Sequence, residues 1–268
     1  MGGPALALPV FPSSNPSGGD VMRNVPTLLR REMNAYFASV LGYVVVVFFL
    51  LVMGVTFAVI VNYLTRGPTQ MTAMRILFSM FWLPSLVVVP LITMRLLAEE
   101  KRSGTIEMLM TAPVTDSEVV VAKWLGAVLL YALMWGLTGI YVLILKKFTG
   151  GTTSLDLGPI ASGYLGVLLI GQFLIAVGVL TSSLTKNQVA AGVMSFAFIF
   201  AFLLVLNWMD YLFQGGPVGQ LIKELSAFDQ METFARGIVD VRTIVLYVSG
   251  TLWMLFVTTR VVESRKWR

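Results

Sequence analysis

The one long charged interruption early in an otherwise apolar chain is the stretch AEEKRSGTIEMLMTAPVTDSEVVVAK, from Ala98 to Lys123. Its acids Glu99, Glu100, Glu107, Asp116 and Glu118 stand among Lys101, Arg102 and Lys123, and the chain has 0 Cys and 0 His. That removes disulfides, haem ligation through His, Cys/His zinc sites and His-based acid–base catalysis. No G-x-x-x-x-G-K-[ST] sequence is present to cradle nucleotide phosphates. No carboxylates pair inside an apolar run, and no Ser-His-Asp set can form. The chemistry left to this stretch is recognition of a partner. Gly104 can close one helix in the left-handed conformation that other residues resist. Thr105 to Ala112 then makes a turn or two of amphipathic helix, with Ile106, Leu109 and Met110 on one face. Glu107 falls on its flank, where a basic or polar group of a partner would meet it. Pro113 ends that helix, and Thr115 with Glu118 has capping-box spacing for the start of the next. A short helix held crosswise between two spans, apolar face outward, suits docking; a solvated loop that only anchors the spans fits the same residues.

The elements that must hold this stretch are membrane spans. The 268 residues are 57% hydrophobic and 12% charged, with a mean hydropathy of +0.83. A soluble domain carries about a quarter charged residues, so the composition is that of an integral membrane protein. Uncharged runs extend from Met33 to Thr65, Ile76 to Met94, Trp124 to Leu145, Leu157 to Thr185, Asn187 to Met209 and Thr243 to Thr259. About 20 residues cross a bilayer core, so six crossings are expected. Lys186, with Thr185, Asn187 and Gln188, supplies the turn between the fourth and fifth runs. Pro84 and Pro90 should kink the second span. Gly171, Gly178 and Ser182 share one side of the fourth, where small residues permit close helix approach.

Ahead of the first span, Leu29, Met33, Tyr36, Phe37 and Val40 line one helical face, and Arg30, Arg31, Glu32 and Asn34 the other. That is the pattern of an amphipathic helix at the membrane surface. Met1 to Asp20 is rich in Pro, Gly and Ser without a basic start, which reads as a disordered tail and not as a signal peptide. Residues 1–24 are therefore expected to be tail, and residues 25–268 a single membrane domain. Between the fifth and sixth spans, Gly215, Gly216 and Pro217 break the chain, and Leu221, Ile222, Leu225 and Phe228 then mark one face of a helix at the outer leaflet.

The 19 Lys and Arg against 14 Asp and Glu report topology and not nucleic-acid binding. With the N-terminus inside, Arg23, Arg30, Arg31, Arg95, Lys101, Arg102, Lys123, Lys186, Arg260, Arg265, Lys266 and Arg268 lie on the cytoplasmic side and outnumber the outer Arg66, Arg75, Lys146, Lys147, Lys223, Arg236 and Arg242. The positive-inside rule then puts both termini in the cytoplasm. The spans themselves carry no charge, whereas carriers driven by protons or sodium usually need one.

The sequence EEKRSGTIEMLMTAPVTDSEVVVAKW resembles the first cytoplasmic loop of ABC-2 type ABC transporter permeases, whose pattern E-x-x-x-G-T-x-E-x-L precedes a Pro. Here the pattern falls on Glu100, Gly104, Thr105, Glu107, Leu109 and Pro113. The resemblance extends from about Val25 to the C-terminus. In the family a Pro often follows the Ser that ends the surface helix; here Val40 follows Ser39, which implies a softer break. Within the family the likeness is to the branch of gliding-motility and nitrous-oxide-reductase-maturation permeases. The resemblance implies an all-α integral membrane protein with six transmembrane helices, an N-terminal interfacial amphipathic helix and a short cytoplasmic coupling helix. It implies a permease in the cell membrane, exporting an unknown substrate without a cofactor. Its partners would be a separate ATPase subunit and a second permease copy, identical or similar. Glu100, Gly104, Thr105, Ile106, Glu107, Leu109, Met110 and Pro113 would form the ATPase-coupling set. The competing expectation is a membrane scaffold that docks a partner complex and transports nothing.

Overall fold

Backbone amides have no water to bond in a bilayer, so an apolar run must satisfy them internally, and a helix does so within one segment. The computed structural model describes residues 24–66, 72–104, 115–148, 156–212 and 217–264, and they are mostly helical, without a strand among them. Among the described residues six helical segments are long and apolar enough to cross a membrane: Val40–Thr65, Trp82–Ser103, Asp116–Lys147, Leu157–Leu184, Gln188–Met209 and Val241–Glu263. The protein is thus an all-α, multi-pass membrane protein with the six expected crossings.

The first helix, α1 (Val25–Ala38), is separated from α2 (Val40–Thr65) by Ser39 alone. Ser39 is extended, with φ −94° and ψ 130°, so the break is sharp without the proline. α1 packs along α6 (Asp116–Leu137). Glu32, assigned by helical spacing to the polar face of α1, turns instead toward Lys123 of α6. Phe37, placed on the apolar face, is exposed.

The second apolar run is broken just before its crossing begins, and the crossing is interrupted again near its end. A short α3 (Ala73–Ser79) precedes α4 (Trp82–Thr93), and the chain turns at Met80 and Phe81 between them. A proline ring crowds the carbonyl four residues back, and four residues before Pro84 is Met80. Pro90 lies inside α4, and the chain turns again at residues 94–97 before α5 (Ala98–Ser103). The third crossing bends at Thr138, between α6 and α7 (Gly139–Phe148). The Thr138 hydroxyl bonds the Trp135 carbonyl and the Tyr164 hydroxyl there, at 2.6 and 2.9 Å.

The fourth crossing, α8 (Leu157–Leu184), is the most buried of the six and is the axis on which α4, α6 and the last helix pack. Its glycines make that possible: a methyl on Gly171 would overlap the Tyr131 ring, and one on Gly178 would overlap Thr93. The fifth crossing begins with α9 (Gln188–Phe200), winds into a π-helical segment over Ala201–Val205, and continues as α10 (Leu206–Leu212). Asn187 caps α9 by accepting from Val189 and Ala190 N–H.

Beyond it, the expected single outer helix is two: α11 (Pro217–Leu225) and α12 (Ala227–Ala235). Ser226 divides them because its side chain accepts from Asp229 N–H, capping the second helix. Ile222 is buried, Leu225 is not, and Phe228 packs against Phe81 and Trp82 with ring centres 5.9 and 6.3 Å apart. The last crossing is α13 (Val241–Glu263).

Candidate functional site

The stretch singled out by its charges is held from both ends. On the near side, α5 has Glu99 and Glu100 in its first turn and Lys101 in its last, which complements the helix dipole. Its position is set by Ser182 of α8. The Ser182 hydroxyl accepts from Leu97 N–H and Ala98 N–H, both at 3.1 Å, and donates to the Met94 carbonyl at 3.2 Å. A hydroxyl has one donor and two acceptor sites, so this one is fully used and replaces the helical bonds that the turn at 94–97 lacks. Lys101 Nζ donates to the Ser183 carbonyl beside it. Gly104 then ends α5 with φ +73° and ψ 0°, the left-handed cap expected of it.

On the far side, α6 opens with the expected capping box. Thr115 Oγ1 accepts from Glu118 N–H at 3.3 Å, and Glu118 Oε2 accepts from Thr115 N–H at 2.8 Å. The other oxygen of Glu118 accepts from Asn24 N–H at 3.3 Å, tying the start of α1 to the start of α6.

Between these anchors lies a buried ion cluster. Lys123 Nζ is 2.8 Å from Glu100 Oε1 and 3.0 Å from Glu32 Oε1. The three side chains are 5%, 12% and 15% exposed, so little water screens them. Arg31 approaches Glu100 Oε1 at 3.8 Å from the more open side. One lysine thereby joins α1, α5 and α6. Arg95, in the turn before α5, donates to Ser39 Oγ at 3.2 Å and pairs with Glu99 at 3.2 Å. Beside this cluster the Tyr36 hydroxyl is buried without a hydrogen-bond partner, as is Glu100 Oε2. Burial and the nearby Glu32 carboxylate push the Tyr36 phenol above its ordinary range, with Arg95 pulling weakly the other way.

Two of the eight residues expected to couple to a partner, Glu100 and Gly104, are in this arrangement. Thr105, Ile106, Glu107, Leu109, Met110 and Pro113 lie outside the described residues. Glu32 and Lys123 were not among the expected eight. Their signal is in the helical period of α6: Val120, Ala127, Leu130 and Tyr131 are all buried, and Lys123 shares their face. A lysine on a buried face requires an acid opposite it. Among the described residues no group of three or more Asp, Glu, His or Cys could hold a metal ion.

The arrangement is structural and electrostatic: a fixed ionic joint where three helices meet at one end of the bundle. No curated protein matches the chain. A family model described as "ABC-2 family transporter protein" matches residues 83–264, from the start of α4 through α13. With the match covering more than half of the sequence, the chain belongs to the ABC-2 family of transporter proteins.

Proposed function

We propose that this chain is the membrane-spanning permease subunit of an ATP-driven ABC exporter. Its first loop, between the second and third crossings, couples it to a separate ATPase subunit at the cytoplasmic face, with both termini on that side. The chain works as a pair with an identical or similar permease, the path running between the two. ATP hydrolysis resides in the partner, since this sequence has no phosphate-binding loop.

The observation that carries this reading is the joint at Lys123. A docking segment transmits force only if its ends cannot yield independently of the spans. Gly104 at one end closes α5, which Ser182 and the Lys123–Glu100 pair fix to α8 and α6. Thr115 and Glu118 at the other end begin α6 itself. Displacement of the segment would therefore move the second and third crossings together. In this reading Ile106, Leu109 and Met110 insert into the ATPase, Glu107 meets a polar or basic group, and Thr105 and Pro113 delimit the docking helix.

The test is co-purification of the ATPase encoded for the same transporter with Leu109→Asp and Glu107→Lys variants, with membrane insertion as control. Fully burying one Leu-sized side chain contributes about 1.5–3 kcal/mol, so Leu109→Asp should release the ATPase while inserting normally. Retention of the ATPase with unchanged transport-coupled hydrolysis would leave the loop as a mere anchor and favour a scaffold.

A further inference from the structure

We propose that the cavity beside the Lys123 cluster binds a phospholipid whose zwitterionic headgroup carries a primary amine, the chemistry of phosphatidylethanolamine. The cavity is about 230 Å³, several times the ~30 Å³ share of one water. It is lined by Arg31, Arg95 and Lys123 together with Glu32, Glu99 and Glu100, so cationic and anionic groups face the same space.

Its level in the membrane follows from Ser39, the single residue between α1 and the first crossing, which accepts a hydrogen bond from Arg95 on the cavity wall. That is where apolar spans give way to charged residues, the depth at which headgroups lie. A second cleft of only about 20 Å³ shares Tyr36, Ile92 and Arg95 with it, between Leu41, Val45 and Leu91 of the first two crossings, and is too small for an acyl chain. A lipid whose headgroup enters the cavity therefore keeps its chains in the bilayer beside the spans.

The unused hydrogen-bonding groups select the headgroup. Glu100 Oε2 is a buried acceptor without a donor, and the Tyr36 hydroxyl is a buried donor without an acceptor. Leaving such groups unpaired in a buried place is destabilising, so a ligand that pairs them is favoured. An ammonium supplies the donor that Glu100 lacks, and a phosphate supplies the acceptor that Tyr36 lacks, with Arg95 and Arg31 beside it. A purely anionic headgroup would leave Glu100 unsatisfied and facing like charge from Glu32 and Glu99. A choline headgroup has the positive charge but no N–H to donate.

The test uses the full chain, purified in detergent and offered phosphatidylethanolamine, phosphatidylcholine or phosphatidylglycerol with identical acyl chains. Retained lipid is read by native mass spectrometry and protection by thermal unfolding. The ethanolamine lipid should be retained at least about tenfold more strongly than the choline lipid, a ratio worth about 1.4 kcal/mol. Tyr36→Phe removes one oxygen and keeps the ring against Gly126; it should weaken that retention roughly three- to tenfold and, since the lost hydroxyl is unpaired without lipid, should not lower lipid-free stability. Soluble phosphoethanolamine, which has no chains to anchor it among the apolar spans, should bind far more weakly. Equal retention of the ethanolamine and choline lipids would overturn the proposal and leave the cavity to water. So would a preference for phosphatidylglycerol, equal binding of soluble phosphoethanolamine, or an indifferent Tyr36→Phe.

Discussion

Lys123 Nζ lies 2.8 Å from Glu100 Oε1 although the residues belong to different crossings, and the same ammonium is 3.0 Å from Glu32 of the surface helix. With the lysine side chain 5% exposed, two carboxylates share one buried cation, and Arg31 offsets the second negative charge from 3.8 Å. Burying ions costs several kcal/mol each before their attraction is counted, so the cluster adds little net stability. Its consequence is geometric: α1, α5 and α6 have one mutual arrangement in which no charge is stranded.

Removing the cation alone should therefore be far worse than removing the whole set. Lys123→Met leaves Glu32 and Glu100 with only the more exposed Arg31 to compensate them and should destabilise the protein by about 3–5 kcal/mol. Adding Glu32→Gln and Glu100→Gln to Lys123→Met should recover much of the loss. Thermal unfolding of the single and triple variants in one detergent checks this. A triple variant no more stable than the single one would mean that the lysine acts through packing and not charge.

Ser182→Ala is expected to strike at α5 from a different helix. Without the hydroxyl, Leu97 N–H and Ala98 N–H lose their acceptor in a fully buried place. Each unsatisfied donor costs about 1–3 kcal/mol, so the turn at 94–97 should loosen while α8 persists. Hydrogen exchange should rise at residues 97–103 and stay low through α8. Ser182→Thr, which keeps the oxygen, should show a smaller increase; equal exchange in Ser182→Ala and the unmodified chain would show that the serine is only a small packing residue.

That double role marks what could be read from the sequence. Gly171, Gly178 and Ser182 were legible as small residues permitting close approach, and the Tyr131 and Thr93 contacts bear this out. The hydroxyl's task was not legible, because its partners are 84 and 85 residues away. Gly104 and the Thr115–Glu118 box were legible for the opposite reason: a left-handed cap and a capping box are settled within four residues. The six crossings followed from run length alone. Breaks inside them did not, except where a proline supplied a local cause, as Pro84 does at Met80. Lys123 entered the sequence reading only as topology, since its acids lie 23 and 91 positions back in the chain.

At the other end of the bundle, Glu232 accepts from Arg75 at 2.8 Å and from Arg236 at 2.5 Å. These two guanidiniums hold its carboxyl below the ordinary carboxylate range, Arg236 more than Arg75. A lowered folded-state pKa gives stability that is present above the unfolded value and lost as pH falls through the folded one. The site is largely open to solvent, so the contribution is at most about 1 kcal/mol. Glu232→Gln should be slightly less stable than the unmodified chain at neutral pH, and the gap should close as pH drops below the usual carboxylate range. A gap that persists unchanged at pH 2 to 3 would show that charge is not its cause.

Gly104 offers the cleanest separation of backbone from packing. It has φ +73°, and among the described residues a Cβ built there would find nothing within 4 Å. Any cost of substitution is therefore the cost of the left-handed backbone, about 1–2 kcal/mol for an ordinary L-residue. Asn tolerates that region, Ala pays the ordinary penalty, and a β-branched Val resists it most. The expected order of damage is Asn, then Ala, then Val, although Ala is the smallest of the three. A packing defect would give a different order, with Asn and Val alike. Gly104 sets the direction in which the chain leaves α5, so under the proposed coupling role the same order should appear in transport-coupled ATP hydrolysis with the proposed ATPase partner. Both quantities are measurable on reconstituted variants: unfolding temperature for the backbone cost, hydrolysis with and without the chain for the coupling. If Val and Asn lose coupling equally, the left-handed turn does not aim the docking segment.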